Sequence, residues 1–408
     1  MKKKLILITD YYPYTQNETF LESEIPYLSE AFELSIVSAD TVSECVRNFP
    51  KDIKVYRCTG KSGFSILDKI RLFLEFVFSI DGIIEIFTII KKGKKIHTRF
   101  LSSLYYFMQG QSYYERLVYN KIINKRETQI IYSYWSTYRL FGVTHNAKKL
   151  PNTAIITRLH GYDLYNERMK TGMQPFKSQM EKRLSKVILV ADFCRDYYLK
   201  NFCIDTTKVE VMRLGSLQEA ILNYKESDEI FTIVSCSNVI PLKRVDLIAN
   251  AISQINSIRI KWIHFGDGYC MESLKSIISS MSSNIEAILM GRISNEEVRN
   301  YYLNNNIDCF ITTSETEGCP VSIMEALSFG IPIIATPVGG IPEMIGNTKN
   351  ILLSKDPNII EVVQALHTIN NLSNDIRKQI FDENISIWSE KYNIVTNTRK
   401  LVTMLNQL

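Results

Sequence analysis

The chain has 408 residues, 45% apolar and 22% charged, with a formal net charge of +5. That is a globular composition with enough chain for two domains, and the basic excess is too small to indicate nucleic acid. None of the eight cysteines forms a C-x-x-C pair or a zinc-ligand spacing, so Cys236, Cys309 and the rest read as reduced core thiols.

In chain order, "MKKKLILITD" opens with an apolar run, LILI, too short for a signal-peptide core. It predicts a buried first strand over 4–10 and a cytoplasmic protein. A helix follows through 20–32 and a strand over 34–40. Residues 61–126 then break the pattern, with twelve Lys/Arg against five Asp/Glu. They include a 19-residue apolar stretch, 72–90, directly before "KKGKK" (91–95). Glu75, Asp81 and Glu85 interrupt the stretch, and acids are costly in hydrocarbon, which argues against a spanning helix. Two readings stay open: an amphipathic helix in peripheral contact with an anionic membrane, or ordinary helices packed on the first sheet with a solvated basic face. Strands are predicted over 129–135, 153–161, 186–192 and 208–215. Their continuous apolar runs suit a parallel sheet covered on both faces.

A polar segment, 216–229, precedes a second series: strands at 230–238, 260–268, 286–291, 308–314 and 331–340, with helices between. The fold class expected is α/β, two Rossmann-like doubly wound domains facing across a cleft. The expected boundaries are 1–215 for the first domain, 216–229 for a linker and 230–385 for the second domain. A helix in 386–408 is expected to pack back on the first.

"SETEGCPVSIMEALSFGIPIIATPVGG" (314–340) carries Glu317 and Glu325 with seven residues between them. Gly318 and Pro320 turn the chain into a helix over 321–328, and Gly330 and Pro332 end it. Free N–H groups at the helix start attract phosphate, while the carboxylates accept hydrogen bonds from hydroxyls. A nucleotide sugar meets both demands. "SNVIPLKRVDL" (237–247) adds the cations Lys243 and Arg244 after the first strand of this half. Singly, such acids are usually solvated caps and such cations ordinary surface; their combination is far more specific.

Residues 314–340 resemble the donor-site signature of the family 4 retaining glycosyltransferases, E-G-x-P-x-S-x-x-E-A followed by G-x-P-x-x-A and a Gly-Gly pair. "HFGDG" (264–268), "MGRIS" (290–294) and "RLHG" (158–161) resemble further strand ends of that family. The resemblance implies a GT-B fold, with acceptor binding in the first domain and nucleotide-sugar binding in the second. Glu325 would hold the ribose hydroxyls, Glu317 the transferred sugar and Lys243 the leaving diphosphate. Gly318, Cys319, Pro320 and Val321 would line the sugar-phosphate region. Gly266, Arg292 and Ile293 would lie at the nucleotide, and His160 near the reacting sugar. Ser237-Asn238 stands where the family often has Gly-Arg, so Asn238 would lie at the phosphates and Arg244 is a candidate substitute for the missing arginine. Asn17, Glu18 and Thr19 replace a Gly-Gly loop, a bulkier polar loop for reading the acceptor.

The expected reaction is transfer from an NDP-sugar, UDP by default, to a hydroxyl of a glycan or lipid-linked glycan. "TRLHGYDLYNERM" and "SCSNVIPLKRVDLI" look most like members that build bacterial capsule, O-antigen or exopolysaccharide. No D-x-D motif is present, so neither a metal nor a cofactor is expected. A dinucleotide oxidoreductase is disfavoured because "FGDGYC" supplies only two glycines of G-x-G-x-x-G. A non-catalytic glycan- or membrane-binding protein on the same fold is the other alternative.

Overall fold

Leu5, Ile6, Leu7 and Ile8 are all buried, in a strand β1 (Lys4–Thr9) in the interior of a parallel sheet. The computed structural model describes residues 2–15, 18, 20–61, 63–203, 205–218, 222, 224–226 and 228–408. The chain divides into two units, Met1–Arg213 with Val395–Leu408, and Leu214–Ile394.

The first unit adds β2 (Glu33–Ser38), β3 (Lys54–Arg57), β4 (Gln129–Ser133), β5 (Thr153–Leu159), β6 (Lys186–Leu189) and β7 (Val209–Val211). Their order is β3-β2-β1-β4-β5-β6-β7, all parallel. The order reverses between β1 and β4, so the loops after these two strands diverge and leave space at their carboxyl ends. The helix Phe20–Ala31 buries Leu21, Ile25 and Leu28, one stripe at helical spacing. The helix Ile394–Asn406 adds Leu401, Met404 and Leu405 to the same core.

The second unit repeats the plan with β8 (Phe231–Cys236), β9 (Ile260–Phe265), β10 (Ile285–Gly291), β11 (Cys309–Thr312), β12 (Ile333–Ala335) and β13 (Ile351–Leu352), ordered β10-β9-β8-β11-β12-β13 and parallel throughout. Its reversal lies between β8 and β11. The core beneath them includes Ile233, Trp262, Ile311 and Ile334.

Three helices, Ile66–Phe78, Ile80–Lys91 and Ile96–Tyr119, fill the sequence between β3 and β4. The apolar stretch 72–90 is therefore not one helix. Ser79 ends the first, donating its N–H to Glu75, and caps the second, its Oγ accepting from Gly82 N at 3.1 Å. A Cβ on Gly82 would collide with the Phe76 carbonyl, so the tight junction needs glycine. Among the described residues no helix is long and apolar enough to cross a membrane.

Candidate functional site

The loops leaving β8 and β11 are joined at the carboxyl edge of the second sheet. After β8 the chain makes a short 3-10 turn, Pro241–Lys243, and Arg244 takes a left-handed φ of 47°. Thr313 Oγ1 donates to Arg244 O at 2.8 Å, and Glu315 N donates to Leu242 O at 2.9 Å. These bonds carry Lys243 to Glu317, Nζ to Oε1 2.6 Å, in a pair that is mostly shielded from solvent. The Arg244 guanidinium is spent elsewhere: Nε donates to Thr313 O at 2.6 Å and Nη1 reaches Asp356 at 2.7 Å. It clamps two loops together, an arrangement that leaves little of it for a ligand.

Gly339 and Gly340 lie on the backbone of Glu317 and Gly318. Gly340 N donates to Gly318 O at 2.8 Å. Gly339 has φ 57°, and a Cβ there would collide with Glu317 O, so the pair fixes where Glu317 stands. A Cβ on Gly318, by contrast, would meet none of the described residues. Cys319 and Pro320 lead into the helix Val321–Ser328, whose N-cap is Pro320 and which has no side-chain cap. Its first-turn amides keep their partial positive charge.

One turn into this helix, Glu325 is buried. Asn295 Nδ2 donates to its Oε1 at 3.2 Å, and Arg299 lies at 3.8 Å. Burial outweighs both and pushes the carboxyl up to about 7. Sequence reading missed Asn295 and Arg299. They are one helical turn apart behind Ser294, which forms a capping box with Glu297, and that motif places both on one face. Cys236, at the end of β8, feels the same groups. Burial pushes its thiol up to about 12, Glu325 adds to the rise and Lys243 opposes it.

The loops after β9 and β10 close against the β8 loop. Gly266 has φ 140°, its N–H donates to Gly291 O at 2.8 Å, and a Cβ there would strike Ser237 O. Arg292 Nη2 donates to Asn238 Oδ1 at 3.3 Å, and Ile293, half-buried, follows. His264 is fully engaged, with Ser235 Oγ at 2.8 Å and Ser237 O at 3.1 Å from its two ring nitrogens. Burial pushes its pKa down to about 4. It is a structural histidine. Among the described residues no group of three His, Cys, Asp or Glu is arranged to hold a metal ion.

In the first unit, His160 follows β5 and packs its ring on Trp135 and Tyr134, centroids 4.3 and 4.9 Å away. Both ring nitrogens are buried with no partner among the described residues, and burial drives its pKa well below the usual value. The backbone around it is held by Asp163, which accepts from His160 N and Ser136 N, both at 2.7 Å. Lys177 in turn donates to Ser136 O and Oγ at 2.8 and 2.7 Å. Glu18 does not reach outward to read a ligand. Its carboxylate accepts from the N–H groups of Asp10, Tyr11 and Tyr12 and from the Trp135 indole, stapling the β1 loop to the β4 loop. Asn17 and Thr19 lie outside the described residues.

Solved structures share this fold over their whole length. A glycosyltransferase of Rickettsia africae covers 100% of this chain and 99% of its own at TM-score 0.67 and 16% identity. An Anabaena protein, HepE, in complex with UDP and glucose covers 100% of both chains at TM-score 0.64 and 14% identity. The fold is GT-B. Within this GT-B chain, residues 219–385 match the family model for glycosyl transferases group 1. Curated relatives are more distant in extent. A phosphatidylinositol N-acetylglucosaminyltransferase subunit of Arabidopsis thaliana is 28% identical over 153 residues, 36% of this chain and 34% of that protein. The GPI3 subunit of the Saccharomyces cerevisiae enzyme is 21% identical over 304 residues, 71% of this chain and 66% of that protein. The chain thus spans about a third to two thirds of the length of these relatives.

Proposed function

We propose that this chain is a retaining glycosyltransferase. It moves a sugar from a nucleotide-sugar donor, UDP-linked by preference, to a hydroxyl of a glycan or lipid-linked glycan in bacterial surface-polysaccharide synthesis. The observation that carries the reading is the Lys243–Glu317 pair, 2.6 Å apart, standing before an uncapped helix start that also bears the buried Glu325. A cation and free amides suit a diphosphate, and two carboxylates suit the hydroxyl groups on either side of it. The Anabaena neighbour with UDP and glucose supports the choice of donor class, and the group 1 match supports the transfer.

In the proposed reaction the bond from the anomeric carbon to the phosphate oxygen breaks. The acceptor oxygen bonds to that carbon from the same face, and the acceptor proton passes to the leaving phosphate oxygen. Lys243 and the helix-start amides stabilise the charge that develops on the diphosphate, a preorganised contribution that grows toward the transition state. Glu317 holds the transferred sugar and Glu325 the ribose. Gly266, Asn238, Arg292 and Ile293 shape the nucleotide end. The hydrogen bonds already spent by Arg244 argue against a phosphate role for it. No metal is needed in this scheme.

The test is binding and turnover with UDP-, GDP- and ADP-sugars. Glu325→Ala should weaken nucleotide binding by roughly 1.5–3 kcal/mol, the scale for hydrogen bonds to a charged group. Lys243→Ala should lower turnover in a folded protein, and EDTA should leave wild-type turnover intact. Unchanged calorimetric affinity in Glu325→Ala refutes the ribose assignment, and a strict need for a divalent ion refutes the metal-free scheme.

A further inference from the structure

The helices between β3 and β4 bury apolar side chains such as Leu72, Phe76, Ile89 and Phe107, yet the first two also carry large apolar side chains on their outer faces. In Ile80–Lys91, the acids face the protein. Asp81 accepts from Arg183 at 2.7 Å and contacts His145 Nδ1 at 2.6 Å. Glu85 accepts from Ser103 Oγ at 2.9 Å, Gln179 Nε2 at 3.0 Å and Phe176 N at 3.2 Å. The large apolar side chains Ile80, Ile83, Phe87 and Ile90 instead face solvent, at helical spacing, with Phe87 68% exposed. The preceding helix does the same with Leu67, Ile70, Leu74 and Phe78, of which Leu67 is 80% and Phe78 75% exposed. An open apolar groove of about 650 Å³ runs between it and the helix Ile96–Tyr119, lined by Phe73, Leu74, Leu104 and Met108. Scattered exposed apolar residues are ordinary, but a continuous stripe over consecutive helices marks a surface that something covers.

The charge around the stripe selects the occupant. Lys91, Lys92, Lys94 and Lys95 follow Ile90 directly and are exposed. Among the described residues no acid forms an ion pair with any of them, and the Lys95 ammonium donates to a carbonyl, Lys170 O at 3.1 Å. The five acids of 61–126 are already answered within the protein: Asp68 by Lys61, Glu75 and Glu115 by Arg71, Asp81 by Arg183, and Glu85 by the bonds above. A second copy docked through a two-fold axis would bring this cluster toward its own image, like charge toward like. A lipid surface takes both features at once, acyl chains against the stripe and anionic headgroups against the lysines.

We propose that residues 66–95 are a docking surface for an anionic phospholipid bilayer, with Phe78, Phe87 and Ile90 inserted and the four lysines at the headgroups. The proposal does not depend on the donor chemistry. The test uses the full chain with sucrose-loaded vesicles of phosphatidylcholine, alone or mixed with phosphatidylglycerol. Wild type should pellet with the anionic vesicles at low salt and return to the supernatant as salt rises. Changing the four lysines together to Gln should lower partitioning on the order of 1,000-fold, from about 1 kcal/mol per lysine. Phe78→Ser with Phe87→Ser should release the protein with an unchanged thermal melt, because both side chains are exposed. A Phe87→Trp variant should shift its emission to the blue on anionic vesicles and be quenched by brominated lipid. Wild type staying in the supernatant overturns the proposal, as does an unshifted Phe87→Trp. A lipid-independent dimer in sedimentation velocity that Phe87→Asp dissolves assigns the stripe to a second copy and overturns it equally.

Discussion

Glu325 combines burial with a nearby arginine, and the burial wins. In the unfolded chain its carboxyl ionises near 4.5, and in the folded chain near 7. Between those values the folded state holds the extra proton. Stability from this residue is therefore whole below pH 4.5 and is lost as pH rises through 7, a cost on the order of 3 kcal/mol once complete. Glu325→Gln keeps an oxygen for Asn295 and removes the ionisation. Its melting temperature relative to wild type should climb between pH 5 and pH 8 in calorimetric scans. A difference that stays flat across that range rules out the raised ionisation. Arg244 shows the opposite limit of reading a single residue. Its sequence position suggested a phosphate ligand, but a φ of 47° and bonds to Thr313, Lys355 and Asp356 are properties of the folded loop.

At the level of loops and helices, the two glycines around Glu317 separate shape from chemistry. Gly339→Ala adds a methyl where the Glu317 carbonyl lies, on a backbone at φ 57°. It should cost about 1–3 kcal/mol in urea unfolding and displace the Lys243 pair. Gly318→Ala meets nothing within contact distance and should melt like wild type. Equal melting of the two variants would contradict the packing of Gly339 on Glu317. The helix 321–328 and the strand before it were legible because glycine, proline and an apolar run coincide there. The edge strands β3 and β13 were not, since "KVYR" and "IL" are too short to show a period. The break at Ser79 was hidden for another reason: the apolar run continues through it, and only the capping bonds mark the stop. The staple made by Glu18 was equally invisible, because its donors are backbone amides and an indole 117 residues away.

For the molecule as a whole, the sheets are where sequence reasoning succeeded. Both sheets are parallel throughout, as continuous apolar strands joined by helices suggest, with the first strand of each lying beside its fourth. What composition could not show was the direction in which the helix 80–91 faces. Periodicity is the same for a stripe turned inward or outward, and only the partners of Asp81 and Glu85 decide it.

The contact between Lys243 and Glu317 also bears on how a catalytic cycle ends. On the proposed reading, the lysine is never bare at rest, so a diphosphate must compete with a carboxylate already in place. A donor compensates that carboxylate with sugar hydroxyls, whereas the nucleoside diphosphate left after transfer has none to offer. Glu317 then reclaims Lys243 and helps expel the product. Glu317→Gln should bind UDP more tightly than wild type while its affinity for the donor falls, reversing the discrimination between substrate and product. Titrations with UDP and UDP-sugar in parallel measure this, and an equal loss for both ligands would show that Glu317 plays no part in release.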